Sequence, residues 1–292
     1  MTDSFFRLRE PVVEVDEGSF LALLMSKTTD CRNLLYRPET LKSIFQPWRY
    51  RVEGVTFTNV SFRQTTISDF DFTNCKFEEC LFVSTIFRNC RFTSCSFVRC
   101  NPHRIEFHEC FVDPRSFFHC IAEREYANIG VYLFQELLRN SRQQAQPNFA
   151  DEAHFQFSRW DRFRLERDLA GMQRWRERWW GRSRSLALFA FEIGAGYGMR
   201  LRRLACSSVA LLLLISIMNW GFADQFGLQQ NDKPVHDFVR AFYFSTVVMT
   251  TVGFGDITPT TTVGRLVVSA EAIAGFVLLA MLTSTLYRRF SS

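Results

Sequence analysis

The stretch Thr250-Thr251-Val252-Gly253-Phe254-Gly255-Asp256 lies between two apolar segments, residues 204–223 and 263–286. The first segment carries no charge, and a helix of about 20 residues spans roughly 30 Å, the hydrocarbon thickness of a bilayer. Gly253 and Gly255 can take the positive-φ conformations that turn successive backbone carbonyls to one side. Such carbonyls can replace the water shell of a cation. A loop with such glycines between two membrane helices is compatible with a backbone-lined ion site.

In this setting, the run Thr-Val-Gly-Phe-Gly-Asp resembles the selectivity filter of potassium channels. The resemblance covers about residues 200–290, and Pro259, Gly264 and Arg265 follow the filter at the spacing of two-span members. It implies a homotetramer in which residues 236–250 form a pore helix and residues 251–255 form the filter. It also implies that backbone carbonyls and one threonine hydroxyl coordinate K⁺ at Thr251, Val252, Gly253 and Phe254.

The aromatic side chain of the filter departs from the pattern of many members of that family. They have a hydroxyl-bearing aromatic residue at the position of Phe254, and its hydroxyl bonds a pore-helix Trp. This chain has Phe244 at the corresponding pore-helix position. We therefore expect an apolar pair of rings in place of a hydrogen bond.

The acidic end of the filter departs from the pattern as well. Some members pair the filter aspartate, here Asp256, with a pore-helix Glu, but this chain has Val247 at that position. We expect Tyr243 to donate a hydrogen bond to Asp256 instead. Thr250, directly before the filter, completes the residues expected to support it.

Two residues of the second apolar segment allow two interpretations each. Glu271 is an ionisable residue at membrane depth, where charge is costly, so it either bonds Ser245 or Thr246 behind the filter or faces the pore and attracts cations. Gly275 is either a hinge of the inner helix or a site of close helix packing. Below Gly275, one face of the helix is expected to line the cavity and the lower gate of the pore. Apolar residues on this face would close the pore by excluding water from it. The face carries Phe276, Leu279, Thr283 and Tyr287.

Basic residues predict the orientation of the membrane segments. Arg200, Arg202 and Arg203 precede the first segment, and Arg288 and Arg289 end the second. By the positive-inside rule, both termini are expected in the cytoplasm. The charged N-terminal stretch does not have the pattern of a signal peptide. No stretch has the pattern of a voltage-sensor helix.

Phenylalanine recurs with a period of five between residues 57 and 107, at nine of eleven positions. Neither a strand nor a helix has this period, so the repeat indicates a solenoid. It resembles the pentapeptide-repeat family, whose fold is a right-handed quadrilateral β-helix. The resemblance implies a coil over residues 51–120 of a little under three turns. The family is most familiar from bacteria. The resemblance therefore also implies a bacterial inner membrane as the location.

Cysteine recurs two residues before the phenylalanines, for example at Cys75, Cys80 and Cys90. Zinc sites usually use Cys-x2-Cys pairs rather than this spacing, so we interpret these residues as small apolar side chains of the interior. Metal binding stays an alternative, as does redox sensing by Cys31 or Cys120 if they are exposed.

The remaining segments are interpreted as connectors. Residues 1–50 are expected to cap the solenoid, and residues 121–183 to form a helical hairpin with helices over 121–142 and 151–180, broken at Pro147 and Asn148. Residues 184–203 are expected to lie along the membrane interface. Residues 174–184 read RWRERWWGRSR, a pattern that fits anionic lipid headgroups; binding of nucleic acid is the alternative that we do not adopt.

The predicted fold class is mixed: the β-solenoid, a helical connector and an all-α two-span pore domain over residues 204–292. The net charge of +5 is modest, and no nucleotide-binding, hydrolase or metalloprotease motif is present, so neither an enzyme nor a cofactor is predicted. The predicted function is a potassium channel with K⁺ and membrane lipids as partners. The solenoid is expected to regulate or assemble it, with a further protein or ligand as a possible partner. A weakly selective cation channel and a membrane-tethered, non-conducting scaffold are the alternatives.

Overall fold

The computed structural model describes residues 1–292 except 1–4, 6, 27, 44–48, 172–174, 199, 231–232 and 292. The chain divides into two compact units, Met1–Leu188 and Phe189–Ser292. Parts of three sequence predictions lie outside the described residues. They are the start of the N-terminal cap, Arg174 of the basic stretch and Met199 of the interfacial segment.

The first unit contains a solenoid of short parallel strands. Within the described residues it has 13 strands: β1 (Val13–Val15), β2 (Asp30–Tyr36), β3 (Thr40–Lys42), β4 (Tyr50–Glu53), β5 (Thr56–Ser61), β6 (Thr66–Ser68), β7 (Phe70–Thr73), β8 (Lys76–Glu78), β9 (Ile86–Arg88), β10 (Arg91–Thr93), β11 (Ser96–Val98), β12 (Glu106–His108) and β13 (Phe111–Val112). Phe57 pairs with Phe77 and Phe77 with Phe97, so one turn takes four pentapeptides. Three faces are sheets, and single bridges join Ser61 to Leu81 and Leu81 to Asn101 on the fourth.

The solenoid is longer than the predicted segment 51–120. One sheet has the order β1-β2-β5-β8-β11, which makes about five turns instead of the expected three. In this sheet Val13 pairs with Leu34 and Leu34 with Val60. Both steps are longer than four pentapeptides, so the N-terminal turns lack the regular period. Strand pairing needs only backbone hydrogen bonds, so these turns can form without a phenylalanine at every fifth position. A prediction based on the phenylalanine pattern therefore missed them.

The corners of the solenoid are strained in a regular way. Every fifth residue from Gln64 to Glu109 has a positive φ, between 50° and 67°. None of these ten residues is a glycine, and the left-handed conformation costs roughly 1–2 kcal/mol for such residues. The stacked strands therefore impose the corners against the local preference of the chain.

The interior of the solenoid is a stack of phenylalanine rings. The ring centroids of Phe77 lie 4.9 Å from Phe57 and 4.6 Å from Phe97. Beside the rings, the Cys80 thiol donates to the Phe57 carbonyl over 3.3 Å, and the Thr85 hydroxyl donates to the Phe62 carbonyl over 2.6 Å. Both contacts have the same separation along the chain, which explains why cysteine and threonine share this position. Cys31 and Cys120 are buried, so the idea that they are exposed is wrong.

Both ends of the ring stack are covered. The helix α1 (Glu17–Met25) lies between β1 and β2 and places Phe20 against Phe62, with centroids 5.5 Å apart. The capping role predicted for residues 1–50 thus belongs to α1, whereas the strands of that segment extend the solenoid. At the other end, Phe117 stacks on Phe97 at 4.1 Å.

A helical hairpin follows, and its helices are α2 (Ala127–Gln143) and α3 (Pro147–Ala170). Pro147 starts α3 instead of only breaking the chain, because the first helical turn does not need its missing N–H. A Cβ atom on Gly130 would lie 2.4 Å from a ring carbon of Trp160, so this glycine lets the helices approach closely. The next helix, α4 (Trp175–Ala195), crosses the predicted boundary at 183/184 without a break and ends at a short turn, Gly196–Gly198.

The second unit is mainly helical. Its helices are α5 (Leu201–Gly221), α6 (Ala223–Phe226), α7 (Phe238–Met249) and α8 (Thr262–Ser291). Three short antiparallel strands, β14 (Leu228–Gln230), β15 (Lys233–Pro234) and β16 (Ile257–Pro259), join its loops in the order β15-β14-β16. In the described part of the chain, two helices are long and apolar enough to cross a membrane, Leu201–Gly221 and Thr262–Tyr287.

Candidate functional site

The helix α7 carries the loop that follows it. It has 12 residues, too few to cross a bilayer, as expected for the segment 236–250. The N–H of Thr251 donates to the Val248 carbonyl over 3.0 Å, and the N–H of Val252 donates to the Val247 carbonyl over 3.1 Å. The loop therefore satisfies carbonyls that the end of a helix leaves unpaired. Val247 contributes through its backbone, while its side chain is buried.

The backbone of the loop alternates in handedness. Thr251, Gly253 and Gly255 have φ values of 59°, 60° and 75°, whereas Val252 and Phe254 are not in this region. Alternation of this kind turns successive carbonyls toward one side, where they can replace the water of a cation. Both glycines have the positive φ that the sequence predicts, and Thr251 is a third left-handed residue that the sequence did not indicate.

The hydroxyls at the base of the loop bond locally. Thr251 Oγ1 donates to the Thr250 carbonyl and Thr250 Oγ1 to the Thr246 carbonyl, each over 2.7 Å. The Thr251 oxygen keeps its lone pairs and can still face a cation. Thr250 thus ties the start of the loop to the last turn of α7.

The expected pair of rings is not formed within one chain. Phe244 is buried in the core of the second unit, near Phe226 and Ile257. Phe254 is 67% exposed, and no ring contact joins it to Phe244 among the described residues. Val252 is also exposed, at 55%. Both outward side chains are therefore exposed in the single chain, and the support of Phe254 by Phe244 that was expected in a tetramer stays a prediction.

Asp256, at the end of the loop, has a partner that the sequence did not indicate. Gln230 Nε2 donates to Asp256 Oδ2 over 3.3 Å. The pairing of β14 with β16 places Gln230 opposite Ile257, next to Asp256. Tyr243 also interacts electrostatically with the Asp256 carboxylate, and the hydrogen bond expected between them stays a prediction. No sequence pattern marks Gln230, because its position depends on a strand pairing between distant segments.

Glu271 takes part in a buried polar cluster that joins three helices. Asn219 Nδ2 donates to Glu271 Oε2 over 3.1 Å and to Ser245 Oγ over 3.0 Å. Glu271 is only 4% exposed, which supports its role behind the filter rather than in the pore. The predicted bond to Ser245 or Thr246 is indirect, because it runs through Asn219, a residue that the sequence analysis missed.

Two glycines of α8 sit at close backbone contacts. A Cβ atom on Gly275 would lie 2.3 Å from the Met249 carbonyl oxygen, and one on Gly264 would lie 2.1 Å from that of Phe226. Either side chain would push α8 away from its neighbour. Close packing therefore accounts for Gly275, and α8 continues as a helix through it.

Beyond Gly275, α8 presents the face that was expected to line a cavity. Phe276, Leu279, Thr283 and Tyr287 are all exposed in the single chain. The Thr283 hydroxyl donates to the Leu279 carbonyl over 2.8 Å within the helix. This face is thus available for a pathway that several copies would enclose.

Comparison with known families agrees with both units. Residues 208–292 match the family model described as "Ion channel", and residues 71–101 match the model described as "Pentapeptide repeats", in eight copies. The chain thus joins a pentapeptide-repeat segment to an ion-channel segment, as the sequence predicts. These matches, with the two apolar helices, point to a membrane protein that transports ions.

One curated protein gives a more specific likeness. It is the hyperpolarization-activated voltage-gated potassium channel of Methanocaldococcus jannaschii, 49% identical over 37 residues. The aligned part covers 13% of this chain and 18% of that protein. The likeness is therefore to a short part of a potassium channel.

Proposed function

We propose that the protein is a potassium-selective channel whose pore is formed by four copies of the second unit. The observation that carries this proposal is the alternating backbone of residues 251–255, with positive φ at Thr251, Gly253 and Gly255. One strand of carbonyls cannot enclose a cation, but four around an axis can. Residues 251–254 would then coordinate K⁺, with Phe254 and Val252 packed against adjacent copies.

The arrangement in the membrane follows from charge. Arg200, Arg202 and Arg203 precede α5, and basic residues favour the cytoplasmic side. Both termini and the solenoid would then be cytoplasmic, in a bacterial inner membrane. The exposed tryptophans of α4, Trp175, Trp179 and Trp180, would lie among lipid headgroups.

The solenoid would act as a regulatory or assembly module. Its interior is filled by phenylalanine rings, so the conducting role would fall to the second unit. Its partner would be a protein or ligand bound on its outer faces. The lower half of α8, with Phe276 and Leu279, would form the gate that such a partner controls.

The test is the flux of K⁺ and of Na⁺ from liposomes that contain the purified protein. We expect K⁺ flux well above Na⁺ flux, and its loss in Gly253→Ala, since a side chain at φ +60° is strained. Gly221→Ala is the matched control: Gly221 lies at a helix end, and a Cβ atom there would meet nothing within 4 Å. Equal fluxes would indicate a weakly selective channel, and no flux a non-conducting scaffold; either result overturns the proposal.

A further inference from the structure

We propose that Asn219 is a positioning residue that ties α5, α7 and α8 together and thereby holds the filter in its conducting form. The inference rests on the proposed function. Asn219 lies near the end of α5 and is fully buried. Among the described residues its side chain hydrogen-bonds Ser245 and Glu271 and not the loop 251–255, so on this proposal it would act through the helices that it joins.

The side chain amide of Asn219 uses both of its N–H donors. One reaches Ser245 on α7 and the other reaches Glu271 on α8, at 3.0 and 3.1 Å. Ser245 in turn donates to the Ala241 carbonyl of its own helix over 2.9 Å. Since all three side chains are buried, loss of one bond would leave a polar group unpaired at membrane depth, where it is costly.

A second contact lies one helical turn away from this cluster. Met249 follows Ser245 by four residues on α7, and Gly275 follows Glu271 by four on α8. The backbones meet there so closely that a Cβ atom on Gly275 would come within 2.5 Å of Met249 Cα. The polar cluster and this contact together fix the register of α8 against α7.

The register matters to the filter because α7 holds the start of the loop. The carbonyls of Val247 and Val248 accept bonds from Val252 and Thr251, and both lie between Ser245 and Met249. A shift of α7 relative to α8 would therefore move the residues at the base of the filter. Asn219 is the link that prevents this shift.

Hydrogen-bond counting assigns Glu271 the role of an acceptor rather than of a charge. Asn219 Oδ1 and Glu271 Oε1 are buried and have no hydrogen-bond partner among the described residues. A glutamine at 271 keeps an oxygen for Asn219 Nδ2 and offers an N–H that Asn219 Oδ1 could accept. The geometry thus predicts that Glu271→Gln conducts as the wild type does.

The test measures the K⁺/Na⁺ permeability ratio and the open probability of full-length protein in planar bilayers. Asn219→Leu, of similar size, is expected to lower one of these quantities at least tenfold. Glu271→Gln is expected to stay within twofold of the wild type. Ser216→Ala is the matched control, because Ser216 is buried in the same helix and, within the described part of the chain, its hydroxyl bonds the Leu212 carbonyl of that helix alone.

A milder variant keeps the test decisive if Asn219→Leu does not assemble. Ser245→Ala removes the bond from Asn219 and the bond to the Ala241 carbonyl but little volume. It leaves the bond between Asn219 and Glu271 in place, and we therefore expect a smaller change in the same quantity. Wild-type selectivity and gating in the Asn219 or Ser245 variant would overturn the inference alone. Loss of conduction in Glu271→Gln would also overturn the inference. The same holds if Ser216→Ala changes the permeability ratio or the open probability as much as Asn219→Leu does. A wild-type protein without K⁺-selective flux would instead overturn the proposed function.

Discussion

The two units of this chain bury their aromatic side chains in opposite ways. Phe97 of the solenoid is fully buried between the rings of Phe77 and Phe117. Phe254 of the loop is two-thirds exposed. Most residues in the apolar stretches of the two candidate spans are likewise not buried. The solenoid therefore completes its interior within one chain, whereas the second unit leaves apolar faces exposed. In the proposed channel, lipid and further copies of the chain would cover those faces.

The largest difference between the two units is expected when one phenylalanine of each is replaced by alanine, Phe97 in the solenoid and Phe254 in the loop. Phe97→Ala removes a ring from the middle of the stack and should lower the free energy of unfolding of the solenoid by about 3–5 kcal/mol. Phe254→Ala should leave the solenoid unchanged and weaken the assembly of subunits. Hydrogen exchange of solenoid peptides in urea would measure the first effect, and the oligomer fraction in detergent the second. Loss of solenoid protection in Phe254→Ala would contradict the comparison.

A somewhat smaller effect is expected from alkaline pH on the solenoid. Burial, with the nearby Asp30 carboxylate, raises the pKa of the Cys31 thiol from 9.0 to about 11. The neutral thiol is thus favoured by folding, so its contribution is fully present below pH 9 and is lost as the pH rises toward 11. At roughly 1.4 kcal/mol per pKa unit, Cys31 alone should account for a loss of about 3 kcal/mol as the pH rises through this range.

Urea unfolding between pH 8 and 11 would measure this loss, with the hydrogen exchange of peptides from the solenoid as the signal. Cys31→Ala is the control and should reduce the loss by about 3 kcal/mol, leaving the part that comes from other buried groups with a raised pKa, such as Tyr36 and Cys80. An unchanged slope in that variant would show that Cys31 does not cause the loss.

The smallest of these effects concerns the C-terminal edge of the solenoid. Asn140 of α2 accepts from the Cys110 N–H over 3.1 Å and donates to the Cys110 carbonyl over 2.8 Å. Its amide replaces the next strand there, so Asn140→Leu should cost about 1–3 kcal/mol for the groups left unpaired. Asn128→Leu, at an exposed position of the same helix, should cost little. Equal exchange rates of the peptide around Cys110 in both variants would rule out this role.

The features predicted from the sequence are those with a local or periodic signal. The phenylalanine period predicted a solenoid, and its resemblance to pentapeptide repeats implied the four-sided coil. The glycines at 253 and 255 predicted left-handed positions of the loop. The missed residues are single polar side chains whose partners lie far along the chain. Gln230 is 26 residues from Asp256, Asn219 is 52 residues from Glu271, and Asn140 is 30 residues from Cys110. Hydrogen bonds of this kind leave no spacing in the sequence.

The four-pentapeptide turn limits how the length of the solenoid can change. Deletion or duplication of one pentapeptide would rotate the exit of the chain by about a quarter of a turn, and α2 would leave from a different face. Four pentapeptides together would keep that face and move the exit by one strand spacing, about 4.8 Å. Asn140 could then meet the new last turn as it now meets Cys110. Natural length variants of this solenoid should therefore differ by whole turns, that is, by multiples of four pentapeptides.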